Sequence, residues 1–250
     1  MHKIMAICVV FLFFTVPAWA LGEIEGFFWL LTPEGQASVG IDGLEGEKID
    51  LENDFGYGDT ETVPGMRFII GNTHQFGLSI FRLDASASNT IDRTIHFGDK
   101  EFTINENISS SIELTVMQGL YRFNIGPEAF HGGLMIGGEY FAIEAKAASA
   151  RSGSERADAD SGMLFFGGFV ESDPLSFLRL RASLLGGTWE ISDVEADYLD
   201  FQVSVLARIL PRFHIGAGYR QIGIDAKEKS LPLDIDLTFK GPTVFIGFEW

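Results

Sequence analysis

The sequence has almost no cysteine: Cys8 is the only one among 250 residues. It lies inside an N-terminal segment in which Lys3 precedes an apolar run over 4–16 and the sequence Ala-Trp-Ala follows. A short positive region, an apolar run and an A-x-A cleavage site are the features of an export signal. We therefore expect residues 1–20 to be removed and the mature chain to begin at Leu21. A cysteine-free chain in an oxidising compartment cannot be a disulfide-stapled secreted fold.

Long apolar runs and an excess of basic residues are also absent. After the export signal the densest apolar run, over 27–31, has five residues, whereas a membrane helix needs about 20. The chain carries 18 Lys and Arg against 35 Asp and Glu, a net charge of −17. Nucleic-acid binding needs basic patches. We therefore predict an exported protein without membrane helices and without a nucleic-acid partner.

The clearest pattern that the sequence does contain lies at 199–219. Apolar side chains occupy nearly every second position from Leu199 to Ile209, the segment 210–212 interrupts them with a proline, and alternation resumes at Phe213. A period of two indicates a strand with one apolar face and one polar face. The eleven residues of the first run are about the number that a tilted strand needs to cross a bilayer. We interpret the stretch as a β-hairpin with a very short turn.

The same alternation recurs along the mature chain and predicts ten strands. In chain order, the first eight strands cover 23–39, 62–71, 75–97, 101–123, 131–150, 161–171, 176–191 and 199–209. The ninth strand runs from 213 to a charged loop at 226–230, and the tenth covers 231–250. Short connections at 72–74, 124–130, 172–175 and 210–212 alternate with longer or more charged loops at 40–60, 151–160 and 192–197. Outer-membrane barrels have this alternation of short turns and long loops.

From this pattern we predict an all-β fold over 21–250, a single closed antiparallel transmembrane β-barrel of ten strands, with eight strands as the alternative. The hairpin around 86–107 is predicted to project beyond the membrane, because its two strands are about twice as long as a crossing requires. The last strand changes the phase of its apolar positions at Gly241-Pro242. A β-bulge explains such a switch, and the alternative is a strand that presents its other face after leaving the membrane.

Charged residues between the apolar positions are predicted to face the barrel interior, because a charge facing lipid costs about 2–4 kcal/mol near the bilayer centre. The same phase turns Ile112, Leu114 and Val116 towards lipid and the charges of 234–240 inward. We interpret the interior charges as a paired structural network that seals the lumen, with a charged pore or a catalytic cluster as alternatives. The predicted network comprises Arg82, Asp84, Glu113, Arg179, Arg181, Asp200, Arg208 and Arg220.

Sequence motifs predict no catalytic, cofactor or metal site. The mature chain has four histidines, at 74, 96, 131 and 214, and only His96 lies away from a predicted short turn, near the tip of the long hairpin. Nearby aspartates do not by themselves make a catalytic arrangement. Within the acidic region that includes the loop 40–60, the segment from Asp50 to Glu61 contains Asp54, Asp59 and Glu61 among glycines. We interpret it as a solvated loop, with a weak cation site as the alternative.

The C-terminus resembles the assembly signal of Gram-negative outer-membrane barrels. Thr243, Phe248 and Trp250 match that signal, whereas Phe245 stands where glycine is usual. With the export signal and the hairpin pattern, the mature chain is similar to small outer-membrane β-barrel proteins of the OmpW and OmpA-transmembrane type. The resemblance implies an outer-membrane location, contact with membrane lipid and lipopolysaccharide, and insertion by the barrel assembly machinery. It implies no specific activity, because a fold does not fix a function.

The expected function is therefore non-enzymatic: a structural barrel, or a narrow channel for small solutes, without a cofactor. The alternative is an outer-leaflet enzyme that modifies lipid or peptide. Discrete conductance in a planar bilayer would indicate a pore, whereas modification of lipid A or cleavage of peptide would indicate an enzyme. The sequence leaves the solute, the oligomeric state and the openness of the lumen undetermined.

Overall fold

The structure is a computed structural model, and it describes residues 22–39, 48–97, 100–127, 129–191, 194–228 and 233–250. Its ordered elements are all β-strands. Within these ranges, no helix is both long enough and apolar enough to cross a membrane. The strands are β1 (Gly22–Val39), β2 (Ile49–Asp50), β3 (Glu61–Gly71), β4 (His74–Thr90), β5 (Ile95–Phe97), β6 (Lys100–Phe102), β7 (Asn107–Ile125), β8 (Phe130–Ser149), β9 (Gly153–Leu175), β10 (Leu178–Ile191), β11 (Val194–Leu210), β12 (Phe213–Glu228) and β13 (Leu233–Glu249).

Ten of these strands form a closed antiparallel barrel, which confirms the predicted architecture. Each barrel strand pairs with the next one in the order β1, β3, β4, β7, β8, β9, β10, β11, β12 and β13, and β13 pairs with β1 to close the ring. β2 pairs with β1 beyond the point where β3 begins. β5 and β6 form a separate hairpin outside the ring.

The two ends of the barrel differ as the connection lengths predict. Turns at 72–73, 126–129, 176–177 and 211–212 lie at one end, which we call the lower end. Both termini of the described barrel lie there too, since the backbone amides of Gly22 and Trp250 each bond to the other residue's carbonyl oxygen, at 3.3 and 3.0 Å. The opposite, upper end carries β2, the β5–β6 hairpin and the remaining connections. Predicted loop segments 40–47, 192–193 and 229–230 lie outside the described residues.

The barrel wall inverts its polarity along its length. In the lower part the outer surface is apolar, with Leu134, Leu164 and Phe166 between 67% and 76% exposed. In the upper part the apolar side chains face inward, and Leu83 and Phe239 are no more than 4% exposed. The lower part thus has the surface of a membrane barrel, and the upper part has the apolar core of a water-soluble one.

This inversion corrects the predicted phase of the upper strands. Ile112, Leu114 and Val116 are buried inside the barrel and do not face lipid. The predicted bulge at 241–242 is also wrong, because β13 stays in register with β12 through both residues. The same alternate positions of the strand face inward along its whole length. Before residue 241 the apolar side chains occupy mainly these inward positions, and after it they occupy mainly outward ones.

The long hairpin extends the barrel and then folds over it. β4 and β7 remain paired as far as Thr90 and Asn107. Beyond them, Ile95 and Phe102 of the β5–β6 hairpin are buried in the same apolar cluster as Leu51. The hairpin and the segment after β2 therefore cover part of the apolar core at the upper end.

Two predicted loops are mostly strand. β9 begins at Gly153, within the predicted loop 151–160, and β11 begins at Val194, within the predicted loop 192–197. The polar composition of these segments suggested loops, but strands above the apolar belt have a water-facing side that accepts polar residues.

Candidate functional site

The described lower half of the barrel interior contains two connected sets of charged and polar side chains. We call the set nearest the lower end the lower ionic network, and it comprises Glu23, Glu25, Arg67, Arg122, His131, Glu171, Asp173, Arg179, Arg181, Arg208, His214 and Glu249. The upper ionic network comprises Gln118, Glu139, Tyr198, Asp200 and Arg220.

Glu25 is the centre of the lower ionic network. It lies on β1, where alternation directs Ile24 outward and the glutamate inward, and it is only 1% exposed. Its carboxylate accepts hydrogen bonds from the guanidinium of Arg67 and from Nη1 of Arg181 at 2.6 Å, and His214 Nε2 lies 2.8 Å away. Three groups from three other strands therefore converge on one buried carboxylate, as a buried charge requires.

A second set of ion pairs closes the lower rim. Arg179 contacts Asp173 at 2.9 Å and Glu249 at 2.6 Å. Arg208 lies 3.9 and 3.7 Å from the same two carboxylates. These contacts connect the β9–β10 region to β11 and to the end of β13, so the rim is cross-linked by charge.

The upper ionic network is built on one bidentate ion pair. Arg220 on β12 contacts Asp200 on β11 through Nε at 3.1 Å and Nη2 at 2.7 Å. The Tyr198 hydroxyl lies 3.0 Å from Glu139 and 3.3 Å from Asp200, which joins the second carboxyl to the pair. The guanidinium also lies 5.3 Å from the Trp29 ring centroid, a cation–π distance.

A cavity of about 70 Å³ lies between the two networks. Its walls combine aromatic rings, such as Phe169 and Phe245, with polar groups from both networks. Above Trp29 and Phe81 the described residues place an apolar core in the interior, to which the upper segments contribute. Among the described residues, charged side chains thus occupy the lower interior and apolar side chains the upper interior.

Three of the predicted interior charges lie elsewhere. Arg82 and Asp84 are exposed on the outer surface of the upper wall, and Glu113 pairs with Arg82 there at 2.7 Å. Their placement inside the barrel was wrong, because above the apolar belt it is the polar side of each strand that faces water. The structure places Arg181, Asp200 and Arg220 in the interior networks, and Arg179 and Arg208 at the lower rim.

Sequence reasoning missed several of the most buried charges. The missed carboxylates and cations include Glu23, Glu25, Arg67, Arg122, Glu139 and Glu171. A signal for them was present in the alternation. Glu25 stands between outward-facing positions, as does Glu139 beside the exposed Tyr140, so extending the strand phase to every polar residue would have found both.

The remaining candidates for chemistry have other partners. Glu23, His214 and Glu249 place potential metal-ligand atoms within 4.8 Å of one another, but Arg181 and Arg179 already pair with the two carboxylates. The two guanidinium groups thus take the place that a metal cation would have beside these carboxylates.

Two further candidates belong to the upper end. Asp54, from the acidic loop, is buried and pairs with Arg93 at 2.5 Å. His96 lies 3.5 Å from Glu101, and both side chains are more than half exposed. Proximity of this kind does not by itself make a catalytic arrangement.

A buried carboxylate also organises the upper turns. Glu106 accepts hydrogen bonds from the Ser149 hydroxyl, the Thr103 amide at 2.8 Å and the Ser152 amide at 3.0 Å. These hydrogen bonds lower the pKa of Glu106 to about 2, and the bond from Ser149 has the largest effect. The carboxylate joins the β6–β7 turn to the β8–β9 turn above the membrane.

The C-terminal signal residues differ in their surroundings. Thr243 faces inward and is 1% exposed. Phe248 packs on Phe213 with centroids 4.9 Å apart, and Trp250 stacks on Phe68 at 5.8 Å. The two aromatic residues therefore lie on the outer surface at the seam between β13 and its neighbours.

Comparisons with known proteins agree with this geometry. No protein-family model and no curated protein matches the sequence. The outer-membrane protease OmpT from Escherichia coli has a similar structure, with a TM-score of 0.62 and 8% identity over 92% of this chain and 97% of that chain. This chain has the fold of a small Gram-negative outer-membrane β-barrel.

Weaker structural matches are of the same type. The attachment invasion locus protein Ail of Yersinia pestis matches with a TM-score of 0.39 and 12% identity, over 92% of this chain and 99% of that chain. Neisserial surface protein A matches with a TM-score of 0.35 and 10% identity, over 91% and 96%. At these identities the likeness concerns the fold alone, and protease activity is a property stated of the Escherichia coli protein.

Proposed function

We propose that this protein is a non-conducting structural barrel of the outer membrane, whose upper part stands above the lipid at the cell surface. The observation that carries the proposal is the filled lumen. Buried ion pairs occupy the lower half, and an apolar core occupies the upper half. A pore needs a continuous aqueous path, and apolar constrictions oppose the passage of ions. Of the two roles expected from the sequence, structural support is therefore favoured over a narrow channel.

Single-channel recording tests this proposal. The purified, refolded protein is expected to give no discrete conductance steps in a planar bilayer, with a known porin inserted under the same conditions as the positive control. Gel mobility with and without heating must show that the added protein is folded. Discrete steps from the folded wild type, changed in size by Arg179→Ala or Arg208→Ala, would instead establish the narrow channel.

The proposal includes the absence of enzymatic activity. The upper end offers His96 with Glu101, an exposed pair joined at 3.5 Å, and proximity alone does not make a catalytic arrangement. We expect no modification of lipid A and no cleavage of peptides. Activity that the wild type shows and His96→Ala lacks would instead favour the outer-leaflet enzyme.

The proposal also includes recognition of the last strand by the barrel assembly machinery. The outward-facing residues Phe248 and Trp250, at the end of the strand that closes the ring, support this role. Removal of Trp250 is expected to slow assembly in cells, as measured by the heat-resistant folded band after a pulse of expression. Assembly at the wild-type rate without Trp250 would contradict it.

A further inference from the structure

The cavity between the two ionic networks has an unusual set of hydrogen-bonding groups. Within the described residues, four of its wall residues hold a buried polar atom that lacks a hydrogen-bond partner. These atoms are the guanidinium Nε of Arg67, Arg122 and Arg181 and the hydroxyl of Thr243. All four can donate a hydrogen bond, and a guanidinium cannot accept one. Unpaired buried donors are costly, so an occupant with acceptor atoms is required.

The charged groups in the cavity wall are already paired. They are four arginines, at 67, 122, 181 and 220, and two carboxylates, Glu171 and Asp200. Arg122 pairs with Glu171 and Arg220 with Asp200, whereas Arg67 and Arg181 pair with carboxylates that do not line the cavity, Glu25 for the first and both Glu23 and Glu25 for the second. The arginines therefore offer unpaired Nε donors without an excess of positive charge.

The donors are held rigidly by their other contacts. Arg122 bonds to Glu171 through Nη2 at 2.5 Å, and its guanidinium lies 3.8 Å from the Phe169 ring centroid. Arg181 bonds to Glu23 and Glu25, and its Nε lies 3.8 Å from Glu171, beyond hydrogen-bond distance. Thr243 is 1% exposed. The unpaired atoms cannot turn to bulk water without breaking these buried bonds.

From these observations we propose that the cavity is a binding site for a small inorganic anion of halide size, held with a few waters by Thr243 and the three arginine Nε groups. A buried water needs roughly 10–15 Å³ of such space. The volume of about 70 Å³ therefore holds roughly five to seven water-sized groups, which is room for a halide with several waters. The anion satisfies donors that no protein acceptor reaches.

Bromide is the probe for this site, because it substitutes for chloride and scatters anomalously. Crystals grown in sodium bromide are expected to show one anomalous peak inside the cavity, close to Thr243. In solution, the urea midpoint for unfolding from lipid vesicles is expected to rise with each tenfold increase of bromide concentration, since a ligand that binds only the folded state stabilises it. Sodium gluconate at the same ionic strength serves as the control, because gluconate is a far larger anion than a halide.

Three variants keep the test specific. Thr243→Val keeps the size and branching of the side chain but removes the donor, and it is expected to reduce the bromide dependence strongly. Thr243→Ser keeps the hydroxyl and is expected to retain the dependence. Thr115→Val changes a threonine on the outer face of the upper wall and is expected to behave as wild type.

Several results would overturn the proposal. A cavity that contains only water in bromide-grown crystals would do so, as would equal urea midpoints in bromide and gluconate. Bromide dependence that is unchanged in Thr243→Val would place any binding elsewhere. None of these results bears on conductance, so the proposed structural role is tested independently.

Discussion

Neutralising Asp200 removes the ion-pair partner of the buried Arg220 and should destabilise the barrel measurably. In Asp200→Asn, the Arg220 guanidinium keeps its position beside Trp29 but loses two bonds to a charged carboxylate, at 3.1 and 2.7 Å. Both residues are at most 6% exposed, so bulk water does not compensate for the lost partner. Breaking a buried ion pair costs about 3–5 kcal/mol. We expect a loss near the lower limit, because the asparagine carbonyl still accepts one bond.

Urea unfolding from lipid vesicles, followed by tryptophan fluorescence, measures this loss. The reverse change, Arg220→Met, leaves two carboxyl groups together and should cost more. The double variant should lose less unfolding free energy than the sum of the two single variants, because it contains neither member of the ion pair and so leaves neither charge without the other. The difference is the coupling energy of the pair. Asp84→Asn is the matched control, because Asp84 lies on the outer surface, and it should change the stability by no more than about 0.5 kcal/mol. A full-size effect at Asp84, or strict additivity of the Asp200 and Arg220 changes, would refute the assignment.

Three further predictions concern other parts of the chain. Gly241→Ala should prevent closure of the ring, because an added Cβ would lie 1.9 Å from the Leu30 carbonyl oxygen. Gly223→Ala should fold normally, because nothing lies within 4 Å of the Cβ position there. The yield of the heat-modifiable folded band compares the two variants. The pKa of Glu106 is lowered to about 2 from an ordinary value of 4.5, so its stabilisation of the upper turns is fully present above about pH 4.5 and is lost as the pH falls towards 2. Hydrogen exchange of the segment 149–152 should therefore rise over that range in the wild type and be high at every pH in Glu106→Ala. Mass spectrometry of the protein from outer membranes should give a chain that begins at Leu21, and retention of the first 20 residues would contradict the export signal.

The ring of strands could be predicted from the sequence because it depends on local patterns. Alternation, short turns with proline or glycine and the connection lengths are all read within a few residues, and together they gave ten strands in the correct order. What failed was the inside–outside assignment of the upper strands. A period of two specifies that a strand has two faces, but it does not specify which solvent each face meets. Arg82, Asp84 and Glu113 were misplaced for this reason.

The interior networks could be predicted only in part for a different reason. The phase of β11 and β12 brought Asp200 and Arg220 to the same face of neighbouring strands, so their contact follows from local order. The bond between Arg181 and Glu25 joins residues 156 positions apart, on strands that are not neighbours in the ring. No periodicity carries that information. The cavity is harder still to predict from the sequence, because it is a space between side chains that are not in contact with one another.

The change of polarity along the wall fixes the depth at which the protein sits in its membrane. Sinking further would bring Arg82 and Asp84 into hydrocarbon, and rising would expose Leu164 and Phe166 to water, so the outer leaflet has one preferred height against the barrel. Since the part above that height contains its own apolar core, it does not depend on lipid for its shape. On the proposed outer-membrane placement, a phage, antibody or neighbouring cell that reaches this protein therefore meets a projection of paired strands whose described residues enclose an apolar core.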